Sequence, residues 1–254
     1  MVDGSTKLWK TNENRVDSYR EARAAINLIK SDLSSIYAST NLDYFYTEKD
    51  KKPDTPVKTP EMDGSIFFIS ALPKDAQDST RNKSDLCTVG YYLGFDKTSL
   101  TGKGTKSYNL YRYFRSSDDT YTSLENNDFL SGVTPDTSQT SANSEVLAKN
   151  IVGFTITPYE IPYDPNNPTN PRTPVPFTKT TSTPLPDMIE ITITAISNET
   201  AKRFGDDKAK WEDANSSTRK QEDRTFTSRV YLPEAAQVKT SALPTPTPSP
   251  SPTP

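Results

Sequence analysis

The chain has 254 residues, with 33 acidic against 30 basic side chains, no histidine and a single cysteine. The lack of histidine excludes a Ser-His-Asp or Cys-His dyad of the usual sort and any imidazole metal ligand, and one thiol excludes an intrachain disulfide or a cysteine-rich zinc site. A net charge of -3, with the basic residues scattered along the chain, argues against nucleic acid as a partner. Apolar residues make up 32% of the chain, low for a globular protein, so part of it is expected to be solvated loop or tail.

The first element is a helix. Val16, Tyr19, Ala22, Ile26, Ile29, Leu33 and Ile36 recur at spacings of three and four, which puts them on one stripe. Arg15, Asp17, Arg20, Arg23, Lys30 and Asp32 are assigned to the other faces. From Thr6 to Tyr37 there is neither proline nor glycine, and a helix of that length spans roughly 45 Å, more than a small β-domain needs for cover. Tyr19, Ile26, Ile29, Leu33 and Ile36 are therefore expected to pack on the domain, while Leu8, Trp9 and Val16 lie in a half that projects.

Beyond the helix the period changes to two. Tyr44-Phe45-Tyr46 is expected to fold back onto a sheet. Ile66 to Leu72 alternates apolar side chains on both faces, and Val89 to Phe95 follows a polar loop from Lys74 to Asp85. Cys87, within Leu86-Cys87-Thr88-Val89, reads as a small buried hydrophobe and not as a reactive thiol. Tyr108 to Arg115 follows the turn Gly102-Lys103-Gly104, which lacks the spacing of a phosphate loop. The series Tyr91, Tyr92, Tyr108, Tyr111, Tyr113 and Phe114 reads as cross-strand packing, with a sugar-stacking or docking face as the alternative. Ile151 to Ile161 is a further strand. In Met188 to Ile196, Ile189, Ile191, Ile193 and Ala195 alternate with Glu190, Thr192 and Thr194. Thr225 to Leu232 closes the series, with Phe226, Val230 and Leu232 facing inward.

The connections divide by composition. Pro162 to Pro186 holds eight prolines and reads as a long loop. Within it Asp164, Asn166 and Asn167 have oxygen-ligand spacing, but the flanking prolines and the lack of a downstream glutamate fit a turn-rich loop better. The charged block from Glu199 to Asp223 reads as a solvated helix or excursion. Asp118-Asp119 and Asp206-Asp207 are adjacent acids, which do not converge on one substrate as paired catalytic carboxylates must. From Pro244 the chain alternates proline with Thr or Ser, the pattern of an extended tail. The organisation expected is a helix over 1–40, an antiparallel β-domain over 41–235 and a tail over 236–254. One helix followed by about six strands, without βαβ alternation, predicts an α+β fold in which the helix packs on an antiparallel sheet.

Four stretches carry a family resemblance through their order along the chain. They are Tyr19-Arg20-Glu21-Ala22-Arg23-Ala24-Ala25 leading to Lys30-Ser31-Asp32-Leu33-Ser34; Val89-Gly90-Tyr91-Tyr92-Leu93 with Leu110-Tyr111-Arg112; Leu185-Pro186-Asp187-Met188-Ile189-Glu190-Ile191; and Phe226-Thr227-Ser228-Arg229-Val230-Tyr231-Leu232-Pro233. Over roughly residues 1–235 the chain resembles bacterial prepilin-like proteins of the pseudopilin group, nearest the minor J-type pseudopilins of type II secretion and the prepilin-like cassette proteins of Verrucomicrobia-type genomes. The resemblance implies a pilin-like fold and an extracytoplasmic structural subunit. It also implies other pilin-like subunits as partners, and the inner membrane reached through an apolar N-terminal segment ahead of this sequence. Calcium at Asp164, Asn166 and Asn167 is what some relatives would imply; otherwise no cofactor and no catalytic residue is expected. The alternative is a tethered cell-surface module that binds carbohydrate or another protein.

Overall fold

Along the chain the elements are α1 (Val2–Ser34), β1 (Phe45–Thr47), β2 (Ile66–Ala71), β3 (Leu86–Lys97), β4 (Lys106–Arg115), α2 (Ser117–Leu124), β5 (Ser144–Lys149), β6 (Ile151–Glu160), β7 (Val175–Pro176), β8 (Met188–Ala195), α3 (Asn198–Phe204), α4 (Lys208–Glu212), α5 (Ser217–Glu222) and β9 (Arg224–Tyr231). The computed structural model describes residues 2–37, 45–47, 64–71, 85–97, 106–125, 130, 132–135, 142–162, 173–178, 185–213 and 217–232, and within them the side chains from Ser18 on, other than at 45–47, 97, 218 and 220. The fold is α+β, with two antiparallel sheets in place of the single sheet expected. One is five-stranded in the order β1-β2-β3-β4-β5, the other four-stranded in the order β7-β6-β8-β9.

A single residue makes the corner between the sheets. Asn150 joins β5 to β6 at φ 58°, a left-handed conformation that asparagine tolerates better than most side chains. A second tie comes from Gly64 N, which donates to Phe154 O at 2.8 Å and so holds the entry to β2 against β6. A Cβ at Gly64 would lie 2.1 Å from that carbonyl oxygen, so the close approach needs glycine.

The five-stranded sheet is buried on both faces because its strands are apolar on both. Ile66 and Phe68, with Val89, Tyr91, Tyr108 and Leu110, face the main core. Phe67, Ile69, Tyr92, Tyr111 and Tyr113 face a second core closed by Leu130 and Val133, with Leu124 of α2 packed against it. Tyr92 and Tyr111 stack with ring centroids 5.5 Å apart across β3 and β4. The tyrosine series is thus cross-strand packing. The four-stranded sheet is buried on one face: along β8, Ile189, Ile191, Ile193 and Ala195 are buried, while Glu190, Thr192 and Thr194 are half-buried.

Three features depart from the sequence reading. The charged block 199–223 is helical, one of the two forms expected of it, but it is not merely solvated. It forms α3, α4 and α5 and buries Ala201, Phe204, Trp211 and Arg219. Trp211 is fully buried, packs edge-on against Phe204 and Tyr108, and donates its indole N–H to Gly205 O at 2.9 Å, so it closes the end of the main core despite charged neighbours. The Asp118-Asp119 pair does not depart: it sits in the first turn of α2, where acids complement the helix dipole. Strand β5 was not anticipated, and β7 lies inside the proline-rich stretch, where Tyr159 pairs with Pro176 and Glu160 with Val175.

Candidate functional site

The stripe on α1 decides where the helix docks. Ala22, Ala25, Ile26, Ile29, Leu33 and Ile36 are buried in the main core together with side chains from both sheets, and Tyr19 packs against it partly buried. Tyr19, Ile26, Ile29 and Leu33 lie on the packed side of α1, while Ile36 falls past the last helical residue, Ser34, and is buried in a bridge to Ser70. Full burial of one such aliphatic side chain contributes about 1.5–3 kcal/mol, so this segment is held firmly. The side chains of Leu8, Trp9 and Val16 lie outside the described residues, as do Asp164, Asn166 and Asn167.

Polar contacts fix the helix at both ends of that segment. Near Ser18, Asn150 Nδ2 donates to Asn198 Oδ1 and to Ser18 Oγ, which joins α1, the β5–β6 corner and α3. One turn on, Glu21 accepts Lys149 N at 3.0 Å, Tyr19 Oη donates to Glu222 O at 3.2 Å, and the Arg23 guanidinium stands 5.2 Å over the Phe226 ring. At the far end Asp32 is 4% exposed. It accepts Arg112 Nε at 3.0 Å and the Tyr91 hydroxyl, while Ser70 Oγ donates to Asp32 O at 3.1 Å and Ile36 bridges to Ser70. The helix thus runs from the four-stranded sheet at Tyr19 to the five-stranded sheet at Asp32 and ties the two together.

Electrostatics hold the protons of two members of this cluster, Tyr91 and Arg112. Burial, and then the Asp32 carboxylate beside it, push the Tyr91 phenol well above its ordinary range, so it remains a donor. Burial opposes the charge on Arg112, but Asp32 and Tyr91 outweigh it and the guanidinium pKa is raised. The groups of the cluster turn mainly toward one another, with Arg112 Nη1 also 3.6 Å from Glu145 Oε1, which makes it a lock between helix and sheet. Sequence reasoning had put Asp32 on a polar face. At 3.6 residues per turn Asp32 falls about 40° beyond Ile36, past the edge of the apolar stripe, so periodicity alone places it with the polar residues.

The remaining candidates resolve into structure. Cys87 is buried, and its thiol is pushed up to about 12 by burial first, with Asp85 adding and Arg112 opposing. Asp206 Oδ1 accepts Lys106 N at 2.6 Å, and Asp207 pairs with Lys210 at 3.3 Å. Among the described residues no three His, Cys, Asp or Glu side chains group closely enough to hold a metal ion.

The outer face of the four-stranded sheet has a different character. Register places its side chains in rows across β6, β8 and β9: Thr155, Thr192 and Thr227; Thr157, Glu190 and Arg229; Tyr159, Met188 and Tyr231. Thr192 and Thr227 share a hydrogen bond at 3.2 Å, Thr194 and Thr225 another at 3.0 Å, and Arg229 Nε donates to Glu190 at 2.7 Å. Tyr231 is 63% exposed, the most exposed large apolar side chain among the described residues. No protein-family model, curated protein or solved structure matches the chain.

Proposed function

We propose that the chain is a structural subunit of a type II secretion or type IV pilus-like filament, a minor pseudopilin or pilin-like component that acts outside the cytoplasm by protein–protein assembly and not by catalysis. The observation that carries the reading is the anchorage of α1. From Ser18 to Ile36 the helix is buried against both sheets and fixed by the Asp32–Arg112–Tyr91 lock, the attachment a subunit needs if its helix is to hold a β-domain at a set angle to its neighbours. In this reading a long N-terminal helix stands clear of the domain. Leu8, Trp9 and Val16 meet other pilin-like subunits, and an apolar segment ahead of them enters the inner membrane. The internal satisfaction of the polar clusters agrees with a protein that works through its surface.

Site-specific cross-linking tests the reading. The chain is joined to an apolar N-terminal helix, co-expressed with pilin-like subunits, and given a photo-cross-linker at position 9 or, as control, at position 203, an exposed site on α3. Cross-links to pilin-like subunits from position 9, few from position 203, and recovery in the membrane fraction are expected. A protein that stays out of the membrane and cross-links to no such subunit from position 9 ends the proposal.

A further inference from the structure

The outer face of the four-stranded sheet plays no part in helix anchorage, and its chemistry is specific enough to suggest an occupant. Glu190 and Arg229 are the charged residues on it among those described, and they pair with each other. The face is therefore neutral, with no pull on nucleic acid or on a charged peptide. Its extent is also limiting. Three strands at about 4.8 Å spacing, each offering four outward side chains, cover roughly 300 Å². That is well under the approximately 800 Å² per partner of a stable protein–protein interface, so neither a second copy of the chain nor a globular partner fits on this face alone.

The arrangement does suit a thin, uncharged, hydroxyl-rich chain. Tyr159 and Tyr231 occupy one register row on either side of Met188. They stand two strand spacings apart, about 10 Å, close to the two-residue repeat of an extended β-linked hexose chain. Met188 between them is 1% exposed and belongs to neither core, so it is already covered and the apolar surface of the row is that of the two tyrosine rings. One i, i+2 step along the strands, about 7 Å away, Glu190 and Arg229 supply an acceptor and a fork of donors for sugar hydroxyls, and the threonine hydroxyls continue beyond them. We propose that this face binds a neutral β-linked polysaccharide, with sugar rings on Tyr159 and Tyr231 and their hydroxyls on the Glu190–Arg229 pair. The proposal does not rest on the filament reading, and either can fail without the other.

Affinity electrophoresis of the purified full chain tests it, in gels containing hydroxyethyl cellulose or galactomannan, with α-linked dextran as control. Retardation by a β-linked polymer and not by dextran is expected. Tyr231→Ala should weaken binding at least tenfold with unchanged thermal melting, since that side chain is largely exposed. Tyr159→Ala should act in the same direction, and Tyr37→Ala, an exposed tyrosine elsewhere, should have no effect. Because Tyr159 flanks a buried methionine, Tyr231→Ala is the deciding variant. The proposal is overturned by no retardation in any β-linked gel, by retardation in dextran alone, or by retardation that survives Tyr231→Ala. It is equally overturned if sedimentation shows self-association that Tyr231→Ala abolishes, which would assign the face to a second copy.

Discussion

The two sheets are built from strands of similar length and use their faces differently. In the five-stranded sheet, neighbours along a strand are buried in opposite directions: Phe67 and Phe68 in β2, and Tyr91 and Tyr92 in β3, are all fully buried. In the four-stranded sheet, every second residue of β8 is a buried aliphatic, with Glu190, Thr192 and Thr194 between them half-exposed. A sheet covered on both sides has no face left to present, so the first serves as a scaffold to which α1 is locked. The second leaves one face partly exposed, with Tyr231 and the threonine rows on it.

The largest expected effect lies where the helix binds the two sheets together. Ile29 is fully buried on α1, and Ile29→Asp would place an unpaired carboxylate in the core, at a cost on the order of 5 kcal/mol. Loss of the cooperative thermal transition is expected. A variant that melts like the parent would mean that the helix does not depend on this core.

Next comes the ionic lock on the five-stranded sheet. The Arg112 and Asp32 side chains are 15% and 5% exposed, so Arg112→Met leaves a buried carboxylate without its cation and should cost about 3–5 kcal/mol. The double variant Asp32→Asn with Arg112→Met should recover most of that loss, because the amide oxygen still accepts from Tyr91 and no charge remains. Urea midpoints of the three proteins measure it. If the double variant is no better than the single one, the contact of the Arg112 guanidinium with the Phe114 ring, 5.3 Å from its centroid, is the main term in place of the pairing with Asp32.

A smaller effect, confined to alkaline pH, comes from Cys87. Its thiol titrates near 9 when unfolded and is raised to about 12 in the folded chain, chiefly by burial. The folded state therefore holds its proton longer. The associated stability is complete below pH about 9 and is lost as pH climbs toward 12, with a slope of up to about 1.4 kcal/mol per pH unit. The stability of Cys87→Ala should fall less steeply over that window, even though other raised groups such as Tyr91 and Tyr108 titrate in both proteins. Parallel curves would show that the thiol is not protected by the fold.

What could be read in the sequence follows from how each element is stabilised. Strands whose side chains alternate cleanly, β8 above all, and the apolar stripe of α1 were visible because burial on one side leaves a period. Strand β5, Ser144–Lys149, was invisible because it is an edge strand: only Ala148 is buried, and the segment has the composition of a surface helix. The block 199–223 misled because its fourfold-spaced ion pairs, such as Arg203 with Glu199, make a charged surface that hides Trp211 beneath it. Among candidate sites, the anchoring residues of α1 were legible and the Asp32 lock was not, since a buried charge looks like a surface charge until its partner 80 residues away is known. The open face of the four-stranded sheet was missed because register across three strands, and not any local motif, brings its tyrosines into one row.

The finest test sets one kind of substitution against itself in the two sheets. On the open face Thr192 Oγ1 and Thr227 Oγ1 meet at 3.2 Å in an exposed pair. Changing both to Val removes donor and acceptor together, keeps the β-branched shape that suits a strand, and should alter stability by less than about 0.5 kcal/mol. In the five-stranded sheet Thr120 Oγ1 of α2 accepts Thr88 N at 2.9 Å and shares a hydrogen bond with Thr88 Oγ1 at 3.0 Å, all of it buried. There Thr120→Val leaves a buried backbone N–H without its acceptor and should cost about 1–3 kcal/mol. Thermal melts of the two variants under one buffer give the comparison directly. If the Thr192→Val, Thr227→Val protein loses as much as Thr120→Val, the outer face of the second sheet is structurally covered after all, and the division between a scaffold sheet and a presenting sheet fails. If Thr120→Val is silent, α2 does not seal the second core, and the five-stranded sheet has an open face of its own.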